Sequence, residues 1–181
     1  MRHTLLCLLA FVAVVGCRKS EQRVVVYCAQ DREFAEGLFA DFEIEASLKV
    51  STKFDTEANK SVALAAELER ETDRPRCDVH WNNEIIGTIR LARQGVYEPY
   101  ESPSAGPYPD WTRPQSRMWQ SFASRARVLI VNTKLLPTEA ERPVSLLDLT
   151  DPKWKGKLTM AKPQFGTTAT HAACLFEQGA S

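Results

Sequence analysis

Apolar and polar positions along residues 23–95 alternate between two periods. Arg23-Val24-Val25-Val26-Tyr27-Cys28-Ala29 is a continuous apolar run, as expected for a strand buried on both faces of a parallel sheet. From Asp31 the period becomes helical, with Phe34, Ala35, Leu38, Phe39 and Phe42 on one side and Arg32, Glu36 and Asp41 on the other. Leu48 to Phe54 returns to strand alternation through Val50, Thr52 and Phe54. Thr56 is placed to cap a second helix, whose apolar side is Val62, Ala65, Ala66 and Leu68. Cys77-Asp78-Val79-His80-Trp81 is a third, short strand. Asn82 or Asn83 can cap a third helix with Ile85, Ile86 and Ile89 as its apolar face, and Gly95 is suited to end it in the left-handed conformation.

This β-α-β-α-β-α order predicts an α/β fold, a doubly wound parallel sheet with helices on both faces. Ligands in such sheets bind at the carboxyl ends of the strands. Those ends carry Ala29-Gln30-Asp31, Asp55-Thr56 and Trp81-Asn82-Asn83-Glu84.

Beyond residue 98 the texture changes. Five of the ten prolines fall between Pro99 and Pro114, with Tyr100, Tyr108 and Trp111 among them, which reads as an extended loop held to the surface by its aromatics. Ala126-Arg127-Val128-Leu129-Ile130-Val131 and Lys157-Leu158-Thr159-Met160-Ala161 look like strands, and Ser145 to Leu149 like a short helix before Pro152. Gly166-Thr167-Thr168 opens a last helix with Ala169, Ala172, Ala173 and Phe176 as its apolar side. That strand and helix have no visible partners to complete a second sheet, so the pattern predicts a truncated second lobe.

The N-terminus is of another kind. Met1-Arg2-His3, an apolar run from Leu5 to Val15, and Gly16-Cys17 have the layout of a secretory signal. The run is shorter than the roughly 20 apolar residues that span a bilayer. Val14-Val15-Gly16-Cys17 resembles a bacterial lipobox, in which the Cys carries the lipid. The sequence thus predicts a signal at 1–16, lipidation at Cys17 and a polar tether at 17–23.

Composition narrows the function classes. Lys+Arg and Asp+Glu both number 23, and zero net charge argues against a nucleic-acid binder, whose affinity rests on cations at phosphates. With Cys7 in the signal and Cys17 assigned to lipid, Cys28, Cys77 and Cys174 remain. They lack metal-ligand spacing and are an odd number, so buried thiols at Cys28 and Cys77 are expected rather than a bridge.

Each candidate site residue has a structural role beside its chemical one. Asp31 can cap a helix or bind a ligand. Glu84 suits a helix first turn by the dipole alone, and Asn82 and Asn83 can cap as well. Gly166, Thr167 and Thr168 form a helix N-terminus with hydroxyl donors, an arrangement that attracts anions, although a Thr N-cap needs no ligand. His171 packs or faces solvent, and Tyr27 or Trp81 can line a cleft or sit in the core.

The order of Val24-Val25-Val26-Tyr27-Cys28-Ala29-Gln30-Asp31, Cys77-Asp78-Val79-His80-Trp81-Asn82-Asn83-Glu84, Arg125-Ala126-Arg127-Val128-Leu129-Ile130, Trp154-Lys155-Gly156-Lys157 and Phe165-Gly166-Thr167-Thr168-Ala169-Thr170-His171 resembles bacterial solute-binding proteins of ABC importers, the ferric-iron branch in particular. The resemblance implies a periplasmic-binding-protein-like (type II) fold. It places a first α/β lobe at 24–125, a crossover strand at 126–135 and a partial second lobe at 136–181. It implies a non-catalytic monomer without a cofactor that carries Fe³⁺ to an ABC permease in the periplasm or another extracytoplasmic space, where the lipid anchor expected at Cys17 would hold it to a membrane. In such relatives a His and a Glu of the first lobe join two adjacent Tyr of the second, and an exogenous anion completes the shell. Here Asp31 stands at the His position, and the Glu position falls on Asn83 with Glu84 beside it; the Tyr pair would lie beyond Ser181. Asp31 and Glu84 are thus the implied metal donors, hard oxygens that would suit Fe³⁺ but also Ca²⁺ or Mg²⁺. The implied ligand contacts are Asn82, Asn83, Gly166, Thr167 and Thr168. A small organic anion such as a phosphonate or carboxylate is the alternative ligand. A secreted hydrolase using Cys or Ser with His171 is the other class, and no GxSxG, HExxH, P-loop or GxGxxG motif supports it.

Overall fold

The computed structural model describes residues 22–55, 62–164 and 166–179. The signal, Cys17, most of the tether and Thr56 lie outside the described residues.

Three parallel strands form the sheet: β1 (Arg23–Cys28), β2 (Lys49–Phe54) and β3 (Val79–Trp81), in the order β2-β1-β3. Cys28 at the end of β1 is level with Phe54 of β2 and Trp81 of β3. The apolar run of β1 has the cause expected of it, because the strand is central and covered on both sides. Val25 and Tyr27 enter one core with Leu64, Ala65, Leu68 and Leu91, from helices α2 (Val62–Arg70) and α3 (Ile85–Arg93). Val24, Val26 and Cys28 enter the other with Ala35 and Phe39 of α1 (Arg32–Ala46) and with Trp81. The third strand is shorter than expected, since Cys77 and Asp78 precede it. Asp78 instead exchanges hydrogen bonds with Val25: its amide donates to the Val25 carbonyl, and its carboxylate accepts from the Val25 amide at 2.8 Å. Gly95 has φ 74°, the left-handed value predicted for the end of α3.

The helices bury narrower faces than their periodicity predicts. On α1 only Ala35 is fully buried, while Phe34, Leu38 and Phe42 are exposed. On α2 the buried set is Leu64, Ala65 and Leu68, with Val62 at the exposed edge. On α3 Leu91 is fully buried, while Ile85 and Ile86 stand half out. The reason is geometric: a three-stranded sheet offers each covering helix a strip of about two strand spacings, roughly 10 Å.

The second half differs more. Residues 123–131 and 158–161 have no assigned helix, strand or turn, and no backbone–backbone hydrogen bond reaches them among the described residues, while the Lys157 amide donates to the Trp154 carbonyl at 2.9 Å. The strands expected there are therefore absent, because a strand exists only as a ladder with a neighbour. The short helix near Ser145 is a single 3₁₀ turn, Leu147–Thr150. In the proline-rich loop, Tyr100 and Trp111 are about three-quarters exposed and pack nothing down. The loop is held by Arg113, whose guanidinium donates to the Ala105 carbonyl at 2.8 Å, with Ala105 and Thr112 buried. Helix α4 (Gly166–Gly179) starts where the Gly-Thr-Thr turn predicts, with Gly166 at φ 57°. It packs against α3, but none of its residues is buried, and Ala173 and Phe176 of its expected apolar side are exposed.

Candidate ligand site at the switch point of the sheet

The chain leaves β1 for β2 on one side and reaches β3 on the other. This makes the crevice beyond the carboxyl ends of β1 and β3 the topological switch point, where open α/β sheets bind ligands. Asn83 donates there from Nδ2 to the Gln30 side-chain oxygen at 2.8 Å and to the Ala29 carbonyl at 3.2 Å. The same Gln30 oxygen accepts from the Arg125 guanidinium at 3.2 Å. Gln30 thus joins both strand ends to the segment that enters the second half of the chain.

Glu84, not Asn82 or Asn83, caps α3. Its carboxylate accepts from the amides of Ile86 at 2.6 Å and Gly87 at 2.5 Å, supplying negative charge at the positive end of the helix. Its Oε1 also accepts from the Thr170 hydroxyl of α4 at 2.6 Å. Asn82 braces this turn: its Nδ2 donates to the Glu84 carbonyl at 2.8 Å and to the Thr88 hydroxyl at 3.0 Å, and its Oδ1 accepts from the amide of Asn83. Asp31 occupies the N-cap position of α1, but its side chain does not accept from the helix amides; the Asp31 carbonyl takes those of Phe34 and Ala35. It borders an open hollow of about 660 Å³ with Gln30, Phe54, Asp55 and the first turn of α1. Arg32 lies over the Phe54 ring there at 4.2 Å and pairs with Glu36 at 2.6 Å.

Thr167 and Thr168 meet a cation. The Arg127 guanidinium donates to their hydroxyls at 2.8 and 3.3 Å. Arg125 and Arg127, two apart on the segment that enters the second half, reach the first-half and α4 parts of the crevice. Neither belongs to the expected ligand set. The signal available in sequence was their alternation, which sends both guanidiniums to one side of an extended chain.

The aromatic candidates belong to the core. Trp81 packs edge-on against Phe39 and Phe122, at 5.8 and 5.7 Å between centroids. The buried Tyr27 donates its hydroxyl to Glu71 at 3.0 Å, and burial followed by that bond raises its pKa to about 12. His80, level with Tyr27, meets the Tyr97 hydroxyl at 2.6 Å, and burial lowers its pKa to about 4. His171 is half-buried on α4. Cys28, Cys77 and Cys174 are unbridged, and burial raises the Cys77 thiol to about 11. Among the described residues no three His, Cys, Asp or Glu side chains form a group that could hold a metal.

Residues 89–180 match the family described as bacterial extracellular solute-binding protein, and the chain belongs to that family. It is 25% identical to the Fe(3+)-binding periplasmic protein of Serratia marcescens over 150 residues, which cover 83% of this chain and 42% of that one. The structure of iron-bound HitA from Pseudomonas aeruginosa superposes with a TM-score of 0.74 at 22% identity, over 88% of this chain and 50% of that one. The periplasmic binding protein AfuA from Actinobacillus pleuropneumoniae, with exogenous fructose-6-phosphate bound, matches at TM-score 0.63 and 26% identity over the same shares. The α/β architecture is therefore that of these binding proteins, and the chain spans about half their length.

Proposed function

We propose that this chain is the substrate-binding component of an ABC importer, capturing ferric iron for a membrane permease. The observation that carries the reading is the convergence of Gln30, Asn83, Arg125, Arg127, Thr167 and Thr168 at the switch-point crevice of a solute-binding fold. The ferric names of the relatives, such as the Serratia marcescens protein, support iron as cargo. In this reading Asp31 and Glu84 are the carboxylates offered to the metal, with Glu84 giving up its helix cap to do so. Asn82 and Asn83 are polar contacts, and the turn at Gly166, Thr167 and Thr168 receives an accompanying anion. The role is binding, without catalysis or a resident cofactor. Residues 1–16 are the export signal, Cys17 and the tether to residue 23 hold the protein at the outer face of a membrane, and it works as a monomer. The first lobe takes 24–125, the crossing segment 126–135 and a partial second lobe 136–181.

The test is calorimetric titration of the 181-residue chain with ferric nitrilotriacetate. With no cage of three His, Cys, Asp or Glu side chains among the described residues, water stays on the metal, so the expected affinity is far below that of the Serratia marcescens protein, and Asp31→Ala removes it. One specific observation favours a second ligand class: Arg127 with two Thr hydroxyls at a helix N-terminus suits an oxyanion. Saturable binding of fructose 6-phosphate or a phosphonate, lost in Thr167→Val and without any ferric response, would overturn iron in favour of an organic anion.

A further inference from the structure

We infer that the pole of the molecule at the amino ends of the strands is a docking face for the anionic phospholipid headgroups of the membrane that holds the anchor. Helices α1, α2 and α3 run back from the carboxyl ends of the strands, so their last turns gather at this opposite edge. Glu43, near the end of α1, accepts from the Val50 amide at 2.7 Å, and Arg90 of α3 pairs with Glu69 of α2 at 3.1 Å. The edge carries Arg23, Arg70, Arg74, Arg76 and Arg93, all exposed. None of them makes an ion pair among the described residues. The acids at the same edge are mostly engaged. Glu43 holds Lys49, Glu69 holds Arg90, Glu71 accepts from the Tyr27 hydroxyl and Asp78 accepts from the Val25 amide. Only Glu45 and Asp73 stand exposed there without such a contact among the described residues. The pole therefore carries a surplus of positive charge, although the whole chain has a net charge of zero.

The chain before β1 indicates the occupant. This rests on the lipid anchor read at Cys17, and not on the identity of the cargo. From Cys17 to Arg23 an extended chain reaches at most about 20 Å, and Arg18 and Lys19 add cations along it. So short a tether brings the arginine pole to the headgroups, whose field fades over about 8 Å at physiological salt. Clustered Lys and Arg beside a membrane are what anionic lipid attracts, and a guanidinium can donate two parallel hydrogen bonds to a phosphate. A face of unpaired guanidiniums is also one that folded polypeptide leaves to solvent, since a buried cation needs its own partner. The crevice lies at the other end of the strands, so the docked protein presents it to solvent, where cargo arrives. A contact built on screened charge is reversible, which frees the same molecule for delivery to the permease.

The experiment reconstitutes the lipidated protein through its anchor into vesicles of phosphatidylcholine alone or mixed with phosphatidylglycerol. Phenylglyoxal modification of each arginine, read by mass spectrometry, reports which guanidiniums face the lipid. The expected result is about fivefold slower modification of Arg70, Arg74, Arg76 and Arg93 on the mixed vesicles, reversed by high salt. Arg32, exposed at the carboxyl-end pole, should be modified at the same rate on both. Arg70→Gln with Arg93→Gln, both at exposed helix ends, should weaken the protection of Arg74 and Arg76. Equal rates on the two kinds of vesicle, or equal slowing of Arg32, would overturn the inference. Slowing found only in native membranes that hold the permease would assign the face to that protein and overturn the lipid as partner. Fatty-acid tagging is scored separately. An untagged Cys17 overturns the anchor and with it the proximity of the pole to lipid, whereas a tagged protein with unprotected arginines overturns the docking face alone.

Discussion

Gln30 and Asn83, 53 positions apart, meet at 2.8 Å across the ends of β1 and β3, and the Gln30 oxygen also holds Arg125 at 3.2 Å. One side-chain carbonyl thereby organises three stretches of chain at the crevice.

Gln30→Ala should leave Asn83 with the Ala29 carbonyl alone and release Arg125. Each lost hydrogen bond contributes about 0.5–1.5 kcal/mol, more where a charge takes part. Urea unfolding should therefore show a loss of about 1–2 kcal/mol. Gln30→Glu, which keeps the acceptor and adds charge toward Arg125, should lose less. Equal losses in both variants would contradict the role given to that oxygen.

Glu84 links α3 to α4 through its cap and Thr170. Glu84→Ala should cost about 1–2 kcal/mol, within the range of N-cap removals. A double-mutant cycle with Thr170→Val should give a coupling of about 0.5 kcal/mol or more. Gly87→Ala probes the same turn, since a Cβ there would stand 2.9 Å from Glu84 Oε2. It should forfeit the usual helical advantage of Ala over Gly, because the carboxylate must shift.

His80 makes stability depend on pH. Burial lowers its folded pKa to about 4, against an ordinary 6.5, so the unfolded chain binds the proton first. Its contribution is complete above pH 6.5 and is lost as pH falls from there through 4. The slope approaches one proton, and the total is about 3 kcal/mol. Unfolding free energies measured from pH 7.5 to 4 should show that decline, and His80→Gln should flatten it.

Amides of 126–131 and 158–161 should exchange within the fast fraction, while those of β1 should follow global unfolding. Their hydrogen bonding differs in just that way. Comparable protection in all three segments would show ladders that the structure does not contain.

At the N-terminus, growth on labelled fatty acid should tag the protein, and Cys17→Ser should remove the tag. The expectation comes from Val14-Val15-Gly16-Cys17 after a short apolar run. A labelled Cys17→Ser protein would rule the anchor out.

Local periodicity by itself determined the parallel α/β unit. The apolar run of β1, the turns at Asp31 and Gly95, and the Gly166-Thr167-Thr168 start of α4 are each decided by a few neighbouring residues. The family resemblance was legible for the same reason, since it rests on short motifs at strand ends. Tertiary structure decided what those residues face. Phe34 and Leu38 carry a helical apolar pattern yet stay exposed, because a narrow sheet covers only Ala35 and Phe39. The run at 126–131 has a strand's composition but no ladder among the described residues, because a strand is a relation between two segments. The choice of Glu84 over Asn82 or Asn83 as cap was hidden too, since Asn83 is drawn across the sheet to Gln30 and the Ala29 carbonyl, while Thr170 reaches Glu84 from 86 positions away. The roles of Arg125 and Arg127 likewise appear only when Gln30, Thr167 and Thr168 are brought to one crevice by the crossing of the chain.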